Sequence, residues 1–297
     1  MTKREHVSSG RVRGQTPDLA WRALSAIALA GFALALAGSA GSAKVDRFDE
    51  QRAFALLREQ VELGPRPAGS AASRTLAERL RKLLPNGRFQ PVPGGLRNVI
   101  GVVGGRDPRR TVVVGAHYDT KDIAGFVGAN DGASGTAVTV QLARKLRPRQ
   151  LRPTIVFILF DGEESPAGAP ETQFERYGLR GSKVAAKAFE RAEAMILLDF
   201  VGDKDLATPR ERLSNRRLWA KLRAAAARTG NARFFPPTTT GAVLDDHLPF
   251  LRRGIPAIDL IDFDFPCWHK RCDDLTAVSA KSLDVTGETV LELLRSL

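Results

Sequence analysis

Residues 111–131 read TVVVGAHYDTKDIAGFVGAND. The β-branched run Val112–Val114 is the pattern of a buried strand. It gives way to Gly115-Ala116, small residues that let the following loop pass close to a neighbour. His117 and Asp119 come next, and Asp131 closes the stretch in a Gly-Ala-Asn-Asp-Gly turn. Open α/β sheets place their ligands outside the carboxyl ends of the strands, where this imidazole and these carboxylates are expected to sit. Imidazole and carboxylate together suit zinc. A lone His–Asp pair at a strand end is equally well read as a surface pair, so other strand ends of the same kind have to be found.

Two are present. Thr154–Phe160 (TIVFILF) is apolar throughout, as a strand buried on both faces is, and it runs into Asp161-Gly162-Glu163-Glu164. A shorter run, Ala194–Phe200, carries Asp199. Residues 98–103 and 255–261 are two more strands. Residues 44–63, 73–84, 134–146, 213–228 and 279–294 have helical spacing, bounded by punctuation such as Gly64-Pro65 and Pro85-Asn86-Gly87. Strands alternate with helices after residue 130, which predicts an α/β sandwich around a mixed sheet. The link Gly104–Arg110 is short enough for a hairpin, so 98–103 and 111–114 are expected to be antiparallel neighbours.

A chain of 297 residues accommodates one large domain or two. No repeat or low-complexity linker follows residue 43, so residues 44–297 are expected to be one domain. The net charge is +12, yet the basic residues are scattered in sequence and no aromatic residues interleave with them. The expectation is a solvated basic face and no nucleic-acid partner. Residues 1–22 are polar, with Lys3, Arg4, Arg11, Arg13 and Arg22, whereas Ala23–Ala43 has no charge and ends in small residues. Residues 1–43 therefore read as an export signal or a single membrane anchor, which places the catalytic part outside the cytoplasm and limits membrane contact to this segment.

A loop near the C-terminus adds Trp268-His269. His117, Asp131, Glu164, Asp199 and His269 together have the composition of a site for one or two zinc ions. Glu163, beside a proposed ligand, is placed to act as a general base.

Ala116-His117-Tyr118-Asp119, Gly128-Ala129-Asn130-Asp131, Phe160-Asp161-Gly162-Glu163-Glu164, Leu197-Leu198-Asp199 and Asp245-Asp246-His247-Leu248-Pro249-Phe250 resemble zinc peptidase family twenty-eight. That family contains zinc aminopeptidases and glutaminyl-peptide cyclotransferases. The resemblance runs from about Phe48 to the C-terminus and implies a three-layer α/β/α sandwich on a mixed, mostly parallel sheet. It implies that His117 and Asp199 hold one zinc, Glu164 and His269 the other, and that Asp131 bridges them. Asp119 would orient His117, and Glu163 would be the acid/base. In the cyclotransferase branch one zinc is usual, on Asp131, Glu164 and His269, while Asp199 and Asp245 belong to a carboxylate network.

The Asp245-Asp246-His247 motif and Trp268, whose ring is placed to cover a substrate side chain, resemble the cyclotransferases. Such an enzyme acts on peptide N-termini, cyclising glutamine to pyroglutamate and releasing ammonia. Gly132 and Asp259 depart from that branch, which commonly has Ser and His there. The alternatives are a dinuclear zinc aminopeptidase and an inactive peptide-binding ectodomain. Trp219 reads as core, and His247 as hydrogen-bonded locally. Cys267 and Cys272 flank His269, and a disulfide between them would clamp its loop.

Overall fold

The computed structural model describes residues 48–297. The basic head and uncharged run at 1–43 lie outside these residues, as does the start of the first expected helix. Asp46–Leu297 is one compact unit. Its strands are β1 (Arg88–Val92), β2 (Leu96–Val103), β3 (Asp107–His117), β4 (Pro153–Phe160), β5 (Ala194–Asp199) and β6 (Ala257–Ile261). They form one sheet in the order β1-β2-β4-β3-β5-β6. Strands β4, β3, β5 and β6 run parallel, and β1 and β2 are antiparallel additions at one edge. The helices are α1 (Glu50–Glu62), α2 (Ala71–Leu83), α3 (Ala133–Lys145), α4 (Phe174–Tyr177), α5 (Arg180–Ala188), α6 (Arg216–Arg228), α7 (Leu248–Leu251) and α8 (Ala280–Arg295).

Side-chain alternation along the strands divides the core into layers. Val112, Val114, Phe157, Leu159, Ile196 and Leu198 point to the face covered by α1, α2, α3, α6 and α8, and Trp219 packs there as expected. Val113, Val156, Ile158, Met195 and Leu197 point to the other face, covered by α5 and α7. The result is the three-layer α/β/α sandwich on a mixed sheet.

The expected hairpin is absent. β4 lies between β2 and β3, antiparallel to the first (Val99↔Leu159) and parallel to the second (Val112↔Ile155). The reason is the composition of β4. A strand apolar on both faces loses roughly 1.5–3 kcal/mol for each large side chain left exposed at an edge. A short connecting loop offers no comparable gain. Residues 104–107 pass beneath the start of β4 instead. Gly105 lies so close to it that a Cβ would be 2.3 Å from the Pro153 carbonyl carbon. The sequence reading also missed β1, a polar edge strand, and α5.

Candidate active site

The parallel strands end at one edge of the sheet. β3 ends in His117 and β5 in Asp199, while β4 runs on into Asp161-Gly162-Glu163-Glu164. Asp131 is in the turn immediately before α3. The His117 Nε2 is 3.2 Å from Asp131 Oδ1 and 3.3 Å from Asp199 Oδ1. On the other side of Asp131, His269 Nε2 is 3.5 Å from Oδ2 and 3.3 Å from Glu164 Oε1. The five side chains thus form two donor sets, His117–Asp131–Asp199 and Asp131–Glu164–His269, with Asp131 common to both.

Asp119 meets His117, as expected, mainly through its backbone. Its carbonyl, at 3.1 Å, is what His117 Nδ1 meets, while its carboxylate lies farther off at 3.8 Å. The carboxylate oxygens accept the N–H groups of Glu163 and Glu164, each at 3.2 Å. Asp119 therefore ties the end of β4 to the loop after β3.

The turn carrying Asp131 is held from below. Asp273 accepts the N–H groups of Asn130 at 2.7 Å and Asp131 at 3.0 Å. Fully buried Arg66 donates to the carbonyls of Val127 and Gly128 in the same loop. Gly132 follows with φ +90°, and a Cβ there would lie 2.8 Å from the Asp119 carbonyl oxygen and 3.2 Å from the His117 ring. This explains the departure at Gly132: in this chain the backbone packs against the site where a side chain would sit.

The electrostatics favour a cation. Burial, reinforced by the Glu164 charge, pushes Asp131 above the usual carboxylate range despite its contact with His117. Burial and then Glu164 raise Glu163 well above its ordinary value. Asp199 is pushed up to about 8 by burial, against the pull of His117. Burial pushes Glu164 up too, but His269 and Lys121 outweigh it and hold this carboxyl low. Asp131 Oδ2 is buried and accepts no hydrogen bond. Buried acids in this excess, with an acceptor aimed at a common point, are what a divalent ion satisfies. Carboxylate oxygens with imidazole nitrogens are donors that zinc accepts.

Above the donors opens a cleft of about 200 Å³. Glu163, Asp245 and Asp199 line its floor, and Trp268, Phe263, Phe200 and Leu244 line its walls. Trp268 stacks on His269, with centroids 4.6 Å apart, and also meets Phe263 at 5.1 Å. Both rings are 44% exposed, leaving faces free for a ligand. Cys267 and Cys272 are joined in a disulfide around His269, so their sulfurs are not metal ligands. His269 itself has φ +52°, a left-handed conformation that the closed loop holds in place.

His247 is not bonded locally. It is fully buried, with Nε2 3.4 Å from Glu211 Oε2 and Nδ1 3.7 Å from Asp259 Oδ2. Asp259 stands on β6 behind Asp245 and away from the cleft lining. Sequence reading missed Lys121, Glu171 and Phe174 in the cleft wall. It also missed Asp273 and Arg66 beneath the Asp131 turn. Lys121 Nζ reaches Glu164 Oε2 at 3.2 Å and Glu171 Oε1 at 3.4 Å.

A family model, peptidase family M28, matches residues 98–294. The chain belongs to peptidase family M28. It is 28% identical over 234 residues to a glutaminyl-peptide cyclotransferase of Drosophila melanogaster, covering 65% of this chain and 63% of that protein's length. A glutaminyl cyclase crystal structure from an Acidobacteriales bacterium superimposes with a TM-score of 0.72 at 32% identity, covering 84% of this chain and 94% of the other. A Zn-dependent exopeptidase from Parabacteroides distasonis matches at 26% identity and a TM-score of 0.75, covering 84% and 99%. These M28 likenesses agree with the sandwich fold and with zinc as the metal of the site.

Proposed function

We propose that this M28 enzyme is a glutaminyl-peptide cyclotransferase, closing the N-terminal glutamine of peptides or proteins to pyroglutamate with release of ammonia. The observation that carries this reading is the set of acids on the cleft floor. Glu163 and Asp245 face the cleft beside the donor sets without belonging to either. The likeness to glutaminyl cyclases supports it.

Asp131, Glu164 and His269 would hold a zinc ion, and His117 and Asp199 would complete a second position around Asp131. Bound zinc supplies a Lewis acid that polarises the γ-carbonyl of the substrate glutamine. Glu163 accepts a proton from the substrate α-amine as the nitrogen bonds to the γ-carbon. It returns a proton to the amide nitrogen as the carbon–nitrogen bond breaks and ammonia leaves. Asp245 and Asp199 hold the carboxylate floor that orients the α-amine. Trp268 and Phe263 cover the glutamine side chain and keep water from competing with the internal nucleophile. Asp119 fixes Glu163 and Glu164 through their backbone N–H groups.

A second reading, aminopeptidase hydrolysis, is favoured by one observation: both donor sets are formed, as a two-metal site needs. Mass spectrometry of a Gln-initiated peptide separates the two readings. The expected product is the same peptide lighter by one ammonia. A peptide shortened by its first residue would make the enzyme an aminopeptidase, and no product of either kind would leave a peptide-binding ectodomain.

For the chain outside the described residues, residues 1–43 are taken as an export signal or single anchor, and 44–297 as the catalytic domain. The Cys267–Cys272 disulfide supports an oxidising, extracytoplasmic location. No helix among the described residues is long and apolar enough to cross a membrane.

A further inference from the structure

The fold adds Arg106 to a basic run of the sequence, residues 144–152. Arg106 lies in the link between β2 and β3. Arg144, Lys145, Arg147, Arg149 and Arg152 lie at the end of α3 and in the loop to β4. Backbone hydrogen bonds join the two segments. The Arg149 N–H donates to the Gly104 carbonyl at 2.7 Å, Arg106 to Leu151 at 3.0 Å, and Asp107 to Arg152 at 2.9 Å.

All six basic side chains are exposed. Acids close to these residues have other partners: Asp107 pairs with Arg109, Glu193 with Arg110, and Glu59, which shares a hollow with Arg144, with Arg79. Among the described residues, none of the six takes part in an ion pair. Arg217 and Lys221 of α6 extend the basic surface past Arg110. These residues surround the N-terminal ends of β3, β4 and β5, whereas the cleft opens at the C-terminal ends. The basic pole and the cleft therefore face opposite ways.

The described chain also begins on this side. Helix α1 runs antiparallel to α3. Near its end, Gln60 donates to the Ala133 carbonyl at the start of α3 at 3.1 Å. Near its beginning, Arg52 shares a surface hollow with Arg144. The first turn of α1 is thus beside the basic pole. In sequence, the uncharged run Ala23–Ala43 stops shortly before it.

We infer that this pole docks on an anionic phospholipid surface and turns the cleft toward the aqueous side. Clustered Lys and Arg gain from the negative potential of such a surface, and the gain is lost within a Debye length. The two segments contain no aromatic residue. They lack the stacking platform with which proteins hold single-stranded nucleic acid.

The full-length protein is mixed with phosphatidylcholine vesicles, with and without phosphatidylglycerol, and bound protein is measured by sedimentation. At low salt the anionic vesicles are expected to bind at least ~10-fold more protein than the neutral ones, and high salt to abolish the difference. The ratio cancels the apolar contribution of Ala23–Ala43. The variant carrying Arg144→Gln, Lys145→Gln, Arg147→Gln and Arg149→Gln keeps the basic head at 1–22. It should lose most of the preference while turning over a soluble Gln-initiated peptide at the parental rate, which also shows that it is folded. An unchanged preference in that variant would assign the attraction to the head and leave the pole a solvated face. A DNA duplex that displaces the protein from the vesicles at equal phosphate concentration would mark a general polyanion surface and also overturn the inference.

Discussion

Glu163→Gln is expected to lower kcat/KM on a Gln-initiated peptide by roughly 10²–10⁴-fold, the usual contribution of a positioned acid/base, while zinc content stays at the parental level. The substitution is nearly isosteric. Glu163 belongs to neither donor set, and its N–H bond to Asp119 is a backbone contact that glutamine retains. What disappears is the capacity to take a proton from the attacking amine and return it to the departing nitrogen. Burial and then the charge of Glu164 raise this carboxyl well above its ordinary value, the direction that suits a group taking up a proton. Steady-state kinetics with metal analysis on the same sample check this. A variant within about threefold of the parent would remove Glu163 from proton transfer, since even the low end of the expected range is far larger.

Asp131→Asn is expected to have the second large effect, on the metal itself. Asp131 is the only residue common to both donor sets. Its Oδ1 faces His117 and its Oδ2 faces His269. Asparagine keeps the shape but loses the charge and one acceptor oxygen. Zinc per chain should fall to about a tenth of the parental value or lower, and activity with it. Stability should move the other way once the metal is stripped from both proteins. Burial and Glu164 push the Asp131 carboxyl up, so in the folded, metal-free protein its charge is a net cost at neutral pH. With chelator present, the variant should melt at a higher temperature than the parent. Parental zinc content in the variant would show that Asp131 is not the shared ligand. A lower melting point under chelation would show that its contact with His117 outweighs the cost of its burial.

The legible parts of this molecule were those in which one local rule has one structural outcome. An apolar run that stops at an acid or an imidazole marks a strand end on the ligand side of a parallel sheet. His117, Glu164 and Asp199 mark such strand ends, while Asp131 in its Gly-Ala-Asn-Asp-Gly turn and His269 in a C-terminal loop complete the metal-type set, to which the family resemblance then assigns roles. The order of strands was not legible in the same sense. The short link 104–110 suggests a hairpin, and only the competition among strands for the centre of the sheet shows that β4 displaces that pairing. Residues that act on the site from other loops left no local signal. Lys121 is four residues beyond His117 but is defined by its reach to Glu164 and Glu171. Asp273 directly follows a cysteine and matters because two N–H groups of a distant turn point at it. His247 looked like a local hydrogen-bonding residue because its partners, Glu211 and Asp259, come from other parts of the chain. The basic run at 144–152 is visible in the sequence, but that Arg106 joins it beside the N-terminal ends of the strands follows only from the fold.

The central claim is that Asp131, Glu164 and His269 close on one zinc ion. Crystals of the purified protein measured on both sides of the zinc absorption edge test it most directly. The account predicts an anomalous difference peak about 2.0–2.2 Å from an Asp131 oxygen, a Glu164 oxygen and His269 Nε2. No peak there, or a zinc peak bound to other residues, would contradict it.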